Sequence, residues 1–351
     1  MKPMKPQKIA VLFGGRSPEY RVSLESAAGV LRHMDRDRFT PVMVGITPAG
    51  DWLKFSGSIE EIEAGSWLNS AACVPAALSP NPSDHALLAF HDGGVEKIPL
   101  QAVFPVLHGK NGEDGSVQGL CQLAGIPVVG CGVLASALCM DKDRAHRLVQ
   151  AAGIAVPHSV ALTRDFDREA LPARCAELGY PLFVKPGRAG SSYGVSKVRQ
   201  AADLQKAIRE AYQYDEQVLV EQSISGFEVG CAVIGNRTLR TGAVDEIELA
   251  GCSFFDFTEK YSLSTARIHV PARIPEEIAA EIQETAKKIY RILGCSGFAR
   301  VDLFLTEEKQ IVFHEVNTIP GFTPHSRFPR MMQAAGLRLE QVITQAIAES
   351  L

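Results

Sequence analysis

The chain contains no run of about 18 consecutive apolar residues, so no membrane-spanning helix is expected. Its opening, Met1-Lys2-Pro3-Met4-Lys5-Pro6, lacks the apolar stretch of a secretory leader. None of the eight cysteines forms a Cys-x-x-Cys pair, and several sit in apolar runs, so they read as reduced, buried thiols of a cytoplasmic protein. No long basic run occurs and the net charge is -4, which argues against a nucleic-acid partner. Internal repeats and low-complexity tracts are also missing. The phosphate-loop pattern G-x-x-x-x-G-K-[ST] is absent. No G-x-G-x-x-G follows the first strand-like run, which weakens a nicotinamide reading.

What is present suggests two or three domains in 351 residues. Residues 8–13 form a short apolar run that stops at Gly14-Gly15, followed by a helical pattern over 22–34 and strands over 39–46 and 102–107. Strands alternating with helices predict a parallel sheet, with ligands at the carboxyl ends of its strands. Two glycine-rich loops fall there, 14–19 and 108–115. Domains are expected over 1–130, 131–220 and 221–351. The second contains a helix at 141–152, strands at 181–185 and 218–221, and a helix from Ala201. Beyond Glu228 the pattern is mostly strand, interrupted by a helix over 275–293 and a closing helix from Leu337.

The chemistry concentrates in the last third. Runs 297–305 and 310–317, joined by the polar turn Thr306-Glu307-Glu308-Lys309, predict an antiparallel hairpin. It would bring together Asp302, Glu315 and the amide oxygen of Asn317, hard ligands suited to Mg²⁺ carried on nucleotide phosphates. Arg300, two residues before Asp302, shares its face and is a candidate for stabilising developing charge. The loop Lys185-Pro186-Gly187-Arg188-Ala189-Gly190-Ser191-Ser192-Tyr193-Gly194 offers backbone N–H groups, the hydroxyls of Ser191 and Ser192, and a lysine at its strand end. A mobile hairpin turn is the bland alternative. Lys142 opens a helix, where its charge opposes the dipole and a nearby phosphate would account for it. Glu221 ends a strand beside a candidate adenine-reading backbone, and Glu228 is a candidate acceptor from ribose hydroxyls. His108 is either a general base or an orienting hydrogen-bond partner. Glu19 would pair with a substrate ammonium or merely cap a helix. In 321–327, the Gly321 N–H is a candidate oxyanion donor, and Ser326 and Arg327 are candidate carboxylate ligands.

These residues resemble the D-alanine–D-alanine ligase family of the ATP-grasp superfamily over nearly the whole chain. The resemblance rests on Gly14-Gly15-x-Ser-x-Glu19, His108-Gly-x-x-Gly-Glu-Asp-Gly115, Met140-Asp-Lys142, Lys185-Pro-x-x-x-Gly-Ser191-Ser192, Glu259-Lys260-Tyr261, Arg300-x-Asp302 and Glu315-x-Asn317-Thr-x-Pro-Gly321. It implies an α/β ATP-grasp fold of three domains, with a Rossmann-like parallel sheet first and two α+β domains after it. Lys142, Lys185, Lys260 and Ser192 would hold ATP phosphates, and Glu221 and Glu228 the adenosine. Asp302, Glu315 and Asn317 would bind two Mg²⁺ ions, with Mn²⁺ a possible substitute. Glu19 would take the ammonium of the first D-alanine near His108. Ser191 and Tyr261 would link to Glu19 and close the site under a lid spanning 250–266, with Phe254, Phe255 and Phe257 around Lys260. Arg300 and the Gly321 N–H would stabilise the oxyanion, and Ser326 and Arg327 would line the second substrate's pocket. A cytoplasmic homodimer is implied.

The retained Glu259-Lys260-Tyr261 implies an amine acceptor, because lactate-using members depart from it. Residues 317–327 look like the resistance-type subgroup, and residues 140–146 and 244–261 look most like D-alanine–D-serine ligases of the VanG type, with D-alanine the alternative acceptor. One departure stands out: Arg21 replaces the family's usual acidic residue before Val22-Ser23-Leu24. It is expected either to pair with Glu25 or to perturb Glu19.

Overall fold

The computed structural model describes residues 5–167, 169–190, 193–249 and 266–351. Three sheets organise the chain. The first uses six strands between Gln7 and Pro99 plus Ala102–Pro105, the second four strands between Ser159 and Gln222, and the third six strands between Phe227 and Asn317.

Gln7–Gly14 is apolar on both faces and buried from Ile9 onward, which suits a central strand. It pairs in parallel with Phe39–Ile46 on one side and Ala102–Pro105 on the other. Gly14 ends it with φ +87°, and a Cβ there would stand 2.2 Å from the Ile46 carbonyl oxygen, so only glycine serves. The sheet is mixed rather than parallel, which corrects the sequence expectation. Trp52–Phe55, Cys73–Leu78, Ala86–His91 and Gly94–Pro99 extend it antiparallel. The connection from Ile46 to Trp52 is too short for a crossover, so the chain can only turn back.

In the third sheet, Phe298–Leu305 and Ile311–Asn317 form the expected hairpin, with Asp302 opposite Glu315 and Arg300 opposite Asn317. A register irregularity falls between Asp302 and Leu303, beside the candidate metal carboxylates. The long helix Glu276–Ile292 covers one face through Ile282, Ala286 and Ile289. The helices Val133–Met140 and Lys142–Ala151 join that same core through Cys139, Ala145 and Val149. A short helix, Arg327–Ala334, precedes the closing helix Leu339–Ser350 and was not expected from sequence.

One apolar cluster spans the first and third sheets. It joins Phe13, Leu24 and Phe104 to Phe298, Phe322, Phe328 and Ile343. Phe298 and Phe322 meet edge to face at 5.2 Å, and Phe104 and Phe322 at 5.7 Å. The loops after the first sheet's parallel strands are therefore held against the segment that follows the third sheet's hairpin.

Candidate active site

Two cavities flank that hairpin. One, of about 460 Å³, is lined by Lys142, Lys185, Glu221, Glu228 and Glu315, with Phe183, Phe227, Phe304 and His314 supplying aromatic surface. The other, of about 630 Å³, is lined by Glu19, His108, Arg300, Asn317, Gly321, Ser326 and Arg327. Two rungs of one hairpin, separated by one other, thus face the two cavities, with Asp302 buried beside them.

Lys185 and Glu221 sit on neighbouring antiparallel strands, and their side chains meet at 2.8 Å in the interior. Burial pushes the Glu221 carboxyl up, but Lys185, His146 and His314 together outweigh it and the group stays below the usual range. Lys142 Nζ donates to the Ala189 carbonyl at 2.8 Å and lies 3.6 Å from Glu315 Oε2. It therefore ties the glycine-rich loop to the hairpin. Asp141 caps its helix by accepting from the Arg144 N–H at 3.1 Å.

Asp302 is only 1% exposed. Arg300 reaches it through Nε at 2.8 Å and Nη2 at 2.7 Å, and Asn317 Nδ2 donates at 2.9 Å. Burial raises this carboxyl's pKa, yet Arg300 and then Arg327 bring it below the ordinary value. Two carboxylates and an amide form a hard oxygen set. Mg²⁺ suits such a set, because it retains waters and phosphate oxygens as further ligands. Among the described residues no group of three or more His, Cys, Asp and Glu side chains forms a metal cluster.

Glu19 occupies the N-cap position of helix Tyr20–His33, yet its side chain makes no capping hydrogen bond. That removes a hydrogen-bonded cap, while the carboxylate charge still stands at the helix N-terminus. A Cβ on Gly109 would stand 2.4 Å from Glu19 Oε2, and one on Gly190 would stand 3.2 Å away. Two glycine loops thus close around the carboxylate. Arg21 turns outward and pairs with Glu25 at 3.1 Å, on the surface.

His108 Nδ1 lies 2.9 Å from the Ile319 carbonyl and so carries its proton. Nε2 faces Ser26 Oγ at 3.2 Å. Burial lowers the ring's pKa, and both nitrogens are engaged with protein, which favours the orienting role over the general base. Glu113, not singled out from sequence, accepts from the Gly109 N–H at 2.8 Å and the Ile319 N–H at 3.2 Å. Burial, with Glu19 close by, pushes its carboxyl up to about 8.

Arg327 is buried and forked onto Asp245, with Nε at 2.7 Å and Nη2 at 2.8 Å. Its Nη1 holds Glu228 at 2.8 Å, and Nη2 lies 3.4 Å from Asp302. Glu228, expected at ribose, thus lines the first cavity while also pairing with a residue of the second. Gly230 makes room for the pair: a Cβ there would lie 2.4 Å from Arg327 Nη2. Ser326 Oγ accepts from the Thr323 N–H at 3.2 Å. Ser191, Ser192, Lys260 and Tyr261, with lid positions 250–265, lie outside the described residues.

Comparison with known proteins converges on one family. Models described as the D-ala D-ala ligase N-terminus and C-terminus match residues 8–131 and 148–348. A putative D-alanine–D-lactate ligase of Streptomyces coelicolor is 46% identical over 98% of this chain and 97% of its own. The vancomycin B-type resistance protein VanB of Enterococcus faecalis is 46% identical, covering 98% of each. The crystal structure of the VanG D-Ala:D-Ser ligase of Enterococcus faecalis superposes with a TM-score of 0.92 at 50% identity, covering 99% of this chain and 100% of that one.

Proposed function

Because the chain belongs to the D-alanine–D-alanine ligase family of ATP-dependent ligases and has its ATP-grasp fold, we propose that it joins D-alanine to D-serine for a modified cell-wall precursor, in the manner of glycopeptide resistance. The observation that carries the catalytic reading is the hairpin wall. Asp302 and Glu315 stand opposite each other between a cavity with two buried lysines and a cavity with Glu19, Arg300 and Gly321.

In this reading Lys142 and Lys185 hold ATP phosphates, and Glu221 fixes Lys185 while facing the adenosine. Asp302, Glu315 and Asn317 are the proposed holders of Mg²⁺, or of Mn²⁺ in its place. The metal, when bound, supplies neutralisation of charge on the transferring phosphoryl group. Glu19 binds the donor's ammonium and turns its carboxylate toward the γ-phosphate. A donor oxygen bonds to phosphorus as the bond to ADP breaks, giving an acyl phosphate. The acceptor amine then attacks the acyl carbon. The carbonyl electron pair moves to oxygen, facing Arg300 and the Gly321 N–H. Collapse restores the carbonyl, phosphate leaves with the bonding pair, and the amine gives up its proton. Excluding water protects the acyl phosphate, the role proposed for segment 250–266.

The acceptor reading is supported by Arg327. Its bidentate pair with Asp245 gives the substrate cavity a fixed polar wall, which suits an acceptor bearing a hydroxyl. Such a wall accepts D-alanine as well, so some D-alanyl-D-alanine is part of the same reading. A homodimer is also proposed. Leu123 and Leu134, 68% and 70% exposed on neighbouring helices, are candidates for its buried surface, and light-scattering mass tests it.

The test is competition. Protein, ATP, Mg²⁺ and D-alanine are incubated with equal D-serine or D-lactate, and the products are identified by mass. Mostly D-alanyl-D-serine is expected. Mostly D-alanyl-D-alanine replaces the acceptor assignment, and no joined product in any mixture overturns the ligase reading.

A further inference from the structure

We propose that Ser26 is a positioning residue that locks the backbone around Gly321 to helix Tyr20–His33, so that one helix sets both the donor carboxylate and the oxyanion donor. The inference rests on the ligase reading above. Ser26 is fully buried, about two turns after Glu19. The Phe322 N–H donates to Ser26 Oγ at 3.3 Å. Since His108 Nδ1 must donate to the Ile319 carbonyl, Nε2 carries the lone pair and the Ser26 hydroxyl donates to it. The hydroxyl has a single proton, so its direction is fixed and a lone pair is left for the Phe322 N–H.

The rest of the segment is equally committed. The Ile319 N–H goes to Glu113, Pro320 has no N–H, and the Thr323 N–H goes to Ser326 Oγ. Among the described residues, Gly321 is left with the one N–H in 319–323 that has no protein partner. Ser26 thus secures the peptide on one side of that free donor, and His108 with Glu113 secures the other.

A second contact on the same helix supports this. One turn after Ser26, a Cβ on Gly29 would stand 2.4 Å from the Phe322 carbonyl oxygen. The helix therefore approaches Phe322 on both its N–H and C=O sides, too closely for any side chain at 29. Glu19 at the head of this helix and Gly321 beside its middle must serve the same acyl carbon in successive steps. Small misplacements between them are costly for the second step and cheap for the first.

The test separates those steps. Ser26→Ala is expected to lower dipeptide turnover by on the order of tenfold, with the Michaelis constant for ATP unchanged. Phosphate released per dipeptide should rise above parity, because the acyl phosphate still forms and water captures it when amine attack slows. That ratio is insensitive to partial unfolding, since unfolded protein releases neither product. Gly29→Ala should give the same signature from the carbonyl side, and Ser26→Thr should move the ratio back toward parity. A parity ratio in Ser26→Ala, beside a parent that makes dipeptide, overturns the inference alone. A parent that makes no dipeptide overturns the ligase reading and this inference with it.

Discussion

Arg300 spans both oxygens of Asp302, two residues further along the same strand, at 2.8 and 2.7 Å. The pair is almost wholly removed from solvent. The guanidinium proposed to stabilise the oxyanion therefore also keeps the proposed metal carboxylate ionised. Removing the carboxylate charge leaves a buried cation unmatched. Asp302→Asn is expected to cost about 3 kcal/mol of stability and at least a hundredfold in dipeptide synthesis. Glu315→Gln, whose side chain is 16% exposed and lies 3.6 Å from Lys142, should lose comparable activity with little change in melting temperature. Melting curves beside product assays distinguish the two.

Arg327 and Asp245 form the second buried pair, with Asp245 fully enclosed. Arg327→Met is expected to cost about 3–5 kcal/mol, because Asp245 then loses its bidentate partner. Arg327→Met with Asp245→Asn should be more stable than Arg327→Met alone, a non-additivity that denaturant unfolding measures. Where enough folded protein survives, the preference for D-serine over D-alanine should fall roughly tenfold.

The Arg21–Glu25 pair is 55% and 44% exposed and lies on the outer side of the helix. Arg21→Glu should cost only a few tenths of a kcal/mol from like charges at i, i+4. The Michaelis constant for the donor D-alanine should not change. A marked fall in that constant would return Arg21 to the role of perturbing Glu19.

How much of this was legible beforehand follows from the range of the interactions. The hairpin 298–317 was readable because its turn is short and its carboxylates fall on facing strands. The placing of Glu19, Lys142 and Lys185 beside cavities was readable because each stands where a local pattern begins or ends. The strands between Trp52 and Pro99 were not. They are short, and the edge strand Gly94–Pro99 is exposed at nearly every position, so it shows no buried alternation. The partners of Arg327 lie 82 and 99 residues away in sequence. No local rule assigns Glu228 to Arg327, or Asp245 to a buried pair. Glu113 was hidden for a similar reason: its second partner, Ile319, lies 206 residues on.

Glu113 also makes stability depend on pH. Its carboxyl is raised from the ordinary 4.5 to about 8, chiefly by burial. Between those values the folded state holds a proton that the unfolded state has lost, so this group's contribution falls as pH rises and levels off above about 8. Glu113→Gln cannot titrate. Its melting temperature relative to the parent should therefore rise from pH 5 to pH 8, as scanning calorimetry at several pH values would record.

The most direct test of the chemistry follows one oxygen atom. D-alanine labelled with ¹⁸O in its carboxylate is supplied with unlabelled ATP, Mg²⁺ and the preferred acceptor, and the released phosphate is analysed by mass. Attack of the donor carboxylate on the γ-phosphate predicts one labelled oxygen in the phosphate for each dipeptide formed. Dipeptide accompanied by unlabelled phosphate would contradict the acyl-phosphate route, and with it the roles proposed for Asp302, Glu315 and Gly321.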